Sequence, residues 1–142
     1  MTGGVDNPLN VRRNQIEWQG EVDGSGAFAD FDGLVDGLRA GMLCILSAFR
    51  RHSCDTVYDL VKRYAPPSDN NPTGAYARFV ANRLGVRAGV PGDPEPGTCL
   101  DFADPEILQK TAAAMAWWET HSVVAADVLR AACQAALAHI GL

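Results

Sequence analysis

Residues 6–40 read DNPLNVRRNQIEWQGEVDGSGAFADFDGLVDGLRA. The stretch opens on a turn-forming pair, Asn7-Pro8, because a residue before proline avoids helical angles. Asn10 follows two residues on, and then a polar run centred on Trp18. Gln15–Gly20 and Ala27–Phe31 can form two short strands, and the intervening VDGSG is turn chemistry with Asp-Gly as its strongest pair. After Asp32, a plausible N-cap, the period changes from two to 3.6. Leu34, Leu38, Met42, Ile45, Leu46 and Phe49 fall on one face of a helix spanning 33–52. Gly37 and Gly41 interrupt that helix, each costing about 1 kcal/mol of propensity relative to alanine. The expected offset is close approach of another element, with the hairpin as the candidate.

The rest of the chain reads as helices. A second helix is expected over 56–64, with Asp55 as cap and Pro66-Pro67 as stop. Asn71 is expected to cap a third, which has Pro72 in its first turn and ends at Gly85. Residues 86–103 hold three prolines and three glycines and read as a loop. Asp104-Pro105-Glu106 starts a fourth helix ending around 119–121, and Ser122 can cap a fifth that ends at Gly141. The expectation is an all-α fold with a small β-hairpin and about five helices around one core. As a single domain over 1–142 it divides into a flexible 1–6, a hairpin region 7–31, helices over 32–85, a loop over 86–103, and helices over 104–142.

The chain has 142 residues, 47% of them hydrophobic, enough for one real core. Its formal charge of −5, with scattered acids, argues against a nucleic-acid partner. The pairs Arg12-Arg13 and Arg50-Arg51 read as solvated surface. The start, MTGGVDN, lacks the basic and apolar parts of a signal peptide, and no run approaches the roughly 20 apolar residues of a membrane helix. A protein made without an export signal and without membrane insertion is expected. Cys44, Cys54, Cys99 and Cys133 show no C-x-x-C spacing, and the three histidines show no metal spacing, so neither a metal site nor a cofactor is expected. Free thiols and pairing after delivery to an oxidising compartment both stay open, and the pairing is not fixed by sequence.

Glu119 closes an alanine-rich helix just after Trp117-Trp118. A carboxyl against indoles loses hydration, which favours the protonated form a glycosidase general acid needs. A solvated glutamate at a helix end is the alternative, although a negative charge there is mildly unfavourable. Trp18, Tyr64, Tyr76, Trp117 and Trp118 could serve as sugar platforms or as core. Trp18, set among Gln15, Glu17 and Gln19, is the least core-like. Cys44 or Cys54 with His52 lacks any recognisable cysteine-hydrolase pattern.

Several strings together resemble phage structural proteins of a peptidoglycan-hydrolase type, and through them lysozyme-like glycosidases. That family opens with Asn-Pro-Gly-Asn-Ile-Arg and Trp-x-Gly, matched here by Asn7-Pro8-Leu9-Asn10-Val11-Arg12 and Trp18-Gln19-Gly20. Phe28-Ala29-Asp30-Phe31, Gly37-Leu38-Arg39-Ala40, Tyr64-Ala65-Pro66-Pro67 and Thr73-Gly74-Ala75-Tyr76 follow collinearly. The family ends a late helix in His-Glu-Asn-Gly, where this chain has Trp118-Glu119-Thr120-His121. The resemblance implies a lysozyme-like fold with Glu119 as catalytic acid. It implies a sugar groove lined by Asn7, Asn10, Arg12 and Trp18, with Tyr76 nearby. A second carboxylate is expected from Glu21 or Asp23, unless the chemistry is substrate-assisted.

The expected function is therefore a muramidase or N-acetylglucosaminidase cutting the glycan strands of peptidoglycan. It would act in the periplasm or cell wall after delivery by a phage or a secretion machine, with an inhibitor protein as a further expected partner. A non-catalytic virion component or wall binder is the rival.

Overall fold

The computed structural model describes residues 4–142. Two strands are followed by five helices: β1 (Glu21–Val22), β2 (Asp30–Phe31), α1 (Leu34–His52), α2 (Val57–Tyr64), α3 (Thr73–Leu84), α4 (Pro105–Thr120) and α5 (Ala126–His139). A 3-10 turn, Pro67–Asp69, lies between α2 and α3. The fold is all-α with a small antiparallel hairpin, as the periodicity predicts. The chain divides into two compact units, residues Met1–Leu43 with Met115–Leu142, and residues Cys44–Ala114.

In the first unit the hairpin is shorter and later than expected. Glu21 pairs with Phe31 and Val22 with Asp30, and an isolated bridge joins Arg12 to Phe28. The reason lies at Trp18–Glu21. The Glu21 N–H donates to the Trp18 carbonyl at 3.0 Å, and Gly20 adopts a φ of +78°. A turn of this kind needs positive φ at its third residue, which glycine supplies, and it removes residues 18–20 from any strand.

The segment before the hairpin is held by side chains. Asn7 is 3% exposed. Its Nδ2 donates to the carbonyls of Val11 (2.9 Å) and Ala29 (2.8 Å), and its Oδ1 accepts the Val11 N–H at 2.8 Å. Arg13 does similar work from the other side. Its guanidinium donates to the carbonyls of Gly26 (3.0 Å) and Phe28 (3.2 Å) and pairs with Asp30 at 2.8 Å. The expected fraying of residues 1–6 lies outside the described residues for Met1–Gly3. Val5 is tied down: its N–H donates to Asp30 Oδ1 at 2.7 Å, and its carbonyl accepts from Phe31 at 2.9 Å.

The two helix glycines do meet a close neighbour, but it is chiefly the turn at 6–9. A Cβ on Gly37 would lie 1.8 Å from the Asp6 carbonyl oxygen, and one on Gly41 would lie 2.9 Å from Leu9 side-chain atoms. The turn thus rests directly on the α1 backbone.

In the second unit, α2 packs against α3, and Phe49 meets Phe102 edge-on at 5.9 Å. The cap of α2 is Thr56, whose hydroxyl accepts the Asp59 N–H, in place of the expected Asp55. The expected cap of α3, Asn71, instead turns back to donate to the Pro66 carbonyl at 3.0 Å, and Pro72, which has no polar side-chain group, stands at the N-cap without a side-chain bond. The long loop is pinned throughout its length. The Tyr58 N–H donates to Ala88 at 2.9 Å, and the Leu100 N–H to Asp55 at 2.7 Å. Arg78 pairs with Asp93 at 2.7 Å, and Arg87 Nε donates to the Pro96 carbonyl at 2.8 Å.

Helix α4 begins at the predicted cap, where Asp104 Oδ1 accepts the N–H groups of Glu106 and Ile107. It ends at His121, whose φ of +54° is left-handed and whose N–H donates to the Trp117 carbonyl at 2.9 Å. That is the usual place for glycine in an αL helix stop. Ser122 does not cap α5. Its hydroxyl bonds Thr120, and the chain stays extended to Ala125 at φ −64°, ψ 147°.

Three stability predictions result. Gly37→Ala forces the turn off α1 and should cost about 2–4 kcal/mol in urea melts. Gly33→Ala, whose added Cβ meets nothing within 4 Å, should change stability by under about 0.5 kcal/mol. His121→Gly should raise stability by about 0.5 kcal/mol by removing left-handed strain, net of the lost contact with the Trp117 ring, whose centroid is 5.1 Å away. Equal melting of the two glycine variants would contradict the close approach at Gly37.

Candidate functional site

The first unit brings the N-terminal turn onto the C-terminal end of α4. Asn10 takes a left-handed φ of +53°. Asparagine tolerates that region better than most residues, and the Asn10 N–H donates to the Asn7 carbonyl at 3.2 Å. The side chain so presented reaches a residue 109 positions away: Asn10 Nδ2 donates to Glu119 Oε1 at 2.9 Å and lies 3.4 Å from the Glu119 carbonyl oxygen. One residue on, the Thr120 hydroxyl donates to the Pro8 carbonyl at 3.0 Å. The last carbonyls of a helix lack partners inside it, so the turn helps to close the end of α4.

The consequence for Glu119 is chemical. Its carboxyl is half-buried, and one oxygen is anchored. Among the described residues the other oxygen, Oε2, has no hydrogen-bond partner. An amide N–H bonds the carbonyl-type oxygen of a carboxyl in preference to its hydroxyl oxygen, so Oε2 is the oxygen left open to carry a proton. An anchored carboxyl with one free O–H has the form of a positioned proton donor.

Other residues expected at the site are placed differently. Asn7 is buried with its amide committed to backbone, so it shapes the turn and is not presented to a ligand. Arg12 is exposed, with its guanidinium 5.4 Å from the centre of the Phe28 ring. Trp18 is half-buried, and among the described residues its enclosed indole Nε1 has no partner, nor has Asn10 Oδ1. Tyr76 belongs to the second unit and is 1% exposed inside α3, which makes it a core residue there and not a sugar platform. Trp117, at 36% exposed, is the open indole of the α4 pair.

Of the two suggested second carboxylates, Glu21 is occupied. Its Oε1 accepts the Trp18 N–H at 3.1 Å, and its Oε2 lies 3.5 Å from Arg13. Asp23 is exposed on the hairpin loop. Two residues escaped the sequence reading. Arg13 was grouped with Arg12 as solvated, yet it organises the hairpin, and Thr120 holds Pro8. The closeness of Asp30 and Glu21 in the chain was the available signal for Arg13.

Two of the four thiols are shifted away from the reactive form. Among the described residues no disulfide joins Cys44, Cys54, Cys99 or Cys133. Burial pushes the Cys44 thiol up to about 11, and burial followed by the nearby Asp59 carboxylate raises Cys54. Both stay protonated at neutral pH, where a thiolate would be the reactive form. Among the described residues no group of three or more His, Cys, Asp or Glu side chains could hold a metal ion, and no helix is long and apolar enough to cross a membrane.

No protein-family model matches the chain. Among curated proteins the chain is similar to "Protein P5" of Pseudoalteromonas phage PM2, with 30% identity over 86 residues, 57% of this chain and 53% of that protein. The chain thus spans about half the length of this relative, and the likeness fits an association with phage proteins.

Proposed function

We propose that this protein is a glycoside hydrolase acting on the glycan strands of peptidoglycan, with Glu119 as general acid. The single observation that carries the reading is the Asn10–Glu119 hydrogen bond at 2.9 Å, which anchors one carboxyl oxygen and leaves the other uncommitted. In the proposed reaction Glu119 Oε2 delivers its proton to the glycosidic oxygen as the bond to the leaving sugar breaks. Asn10 fixes the carboxyl rotamer, so that little reorganisation is needed at the moment of transfer. Arg12, Trp18 and Trp117 are proposed to contact the glycan. Glu21 is tied to Arg13 and the Trp18 N–H, so Asp23 or the substrate's own acetamido group is the better source of the second function. Similarity to a phage protein fits delivery by a phage particle, a route by which such an enzyme would reach the wall, and delivery by a secretion machine serves the same chemistry. An inhibitor presenting basic side chains would suit the chain's net charge of −5.

Glu119→Gln is the decisive variant. Its amide oxygen still accepts from Asn10, so melting should hold while release of muropeptides from purified walls falls by about 10²–10⁴-fold. Asn10→Gly keeps the left-handed backbone and removes the anchor, and should lower kcat by about 10–100-fold with little change in KM. Wall clearance by Glu119→Gln at the wild-type rate would sink the assignment. Tight wall binding with no muropeptide release from the wild type would favour the non-catalytic reading.

A further inference from the structure

A second constellation lies in the other unit, where the last turns of α1 and α2 meet the chain that joins them. An open cavity of about 590 Å³ is lined there by His52, Ser53, Cys54, Asp59, Lys62 and Arg63. Residues 50–66 carry four of the twelve Lys and Arg side chains, at Arg50, Arg51, Lys62 and Arg63, against the two carboxylates Asp55 and Asp59. In a chain of net charge −5 this is a local reversal of sign.

Basic residues in the last turn of a helix complement its dipole, and that accounts for their charge. It does not account for their arrangement. Arg63 Nη2 lies 2.8 Å from His52 Nε2. A guanidinium has no lone pair to offer, so the imidazole nitrogen accepts and the Arg63 fork is held by a neutral ring. Among the described residues Lys62 and Arg63 form no ion pair, although Asp59 stands on the same wall. The cavity's cations are thus left uncompensated from within.

The wall itself is fixed. Ser53 has a left-handed φ of +55°. The Cys54 N–H donates to the Ala48 carbonyl at 3.2 Å, the Asp55 N–H to Ser53 at 3.1 Å, and the Leu100 N–H to Asp55 at 2.7 Å. We propose that this cavity binds a phosphate group, with the Arg63 fork and the Lys62 ammonium as charged donors and the Ser53 hydroxyl as a neutral one. A tetrahedral anion with several oxygens suits a planar fork beside a point charge better than a single carboxylate does. The negative ends of two helices face the same region, so the affinity is modest, about 1 mM for free phosphate. The site is independent of Glu119.

The test uses the whole chain with Cys99→Ser, which removes the exposed thiol. Inorganic phosphate is titrated while the His52 ring signals are followed by NMR and alkylation of Cys54 is timed. A saturable shift with slowed Cys54 alkylation is expected, and chloride at equal ionic strength should produce neither. Lys62→Gln and Arg63→Gln should each weaken binding about 10-fold, and Asp59→Asn should tighten it about threefold. Further arms use a poly(glycerol phosphate) and vesicles containing phosphatidylglycerol. Binding to either that exceeds free phosphate and fails in Arg63→Gln identifies a wall polymer or a lipid headgroup as the source. Binding to free phosphate alone identifies a small phosphoester. No saturable response, a chloride response equal to that of phosphate, or unchanged affinity in both Lys62→Gln and Arg63→Gln overturns the proposal. Because wall hydrolysis is not read, failure here leaves the role of Glu119 unaffected.

Discussion

The buried amide of Asn7 is the constraint on which the first unit depends. Irregular chain cannot be enclosed unless its backbone N–H and C=O groups find partners. Between Val5 and Phe31 only four residues belong to strands, so ladder pairing alone does not meet that requirement. Asn7 satisfies both polar groups of Val11 and the carbonyl of Ala29, and Arg13 satisfies the carbonyls of Gly26 and Phe28. With the turn closed in this way, Leu9 is driven to zero exposure against Gly41, and Pro8 and Asn10 are delivered to the end of α4. Leaving one buried backbone group unmet costs about 1–3 kcal/mol, so a single amide holding three partners is worth more than most of the surface ion pairs.

Much of this could be read from the residues. The helices were legible because their apolar faces repeat at 3.6 and their ends carry Asp104, Gly85 and prolines, signals that act within a few residues. The hairpin's existence was legible and its register was not. Gln15–Gly20 alternates like a strand, but Gly20 admits a tight turn, and local turn chemistry prevailed over a weak alternation. Ser122 failed as a cap because a closer hydroxyl, Thr120, took it.

The site divides along the same line. Glu119 stood out as an acid at a helix end, and Asn10 through the strings shared with a known family. Their nearness was expected from that resemblance alone, and the hydrogen bond that joins them was not legible, because a contact over 109 residues leaves no periodic trace. Arg13 was missed for the converse reason. Two adjacent arginines look equivalent in a sequence, but Arg13 is half-buried among four acceptor groups while Arg12 stays in water over Phe28.

The span of the Asn10–Glu119 bond also bears on how the protein comes into being. The unit that contains it is discontinuous, with the whole of Cys44–Ala114 threaded between its two parts. A contact at such separation forms late, since loop closure must be met before the contact returns anything. During synthesis the α4 end has not left the ribosome while the turn at Asn7 is already exposed. The nascent chain therefore carries an unfinished turn without its acid, and Glu119 acquires its anchor only after the 109 residues that follow Asn10 have been made.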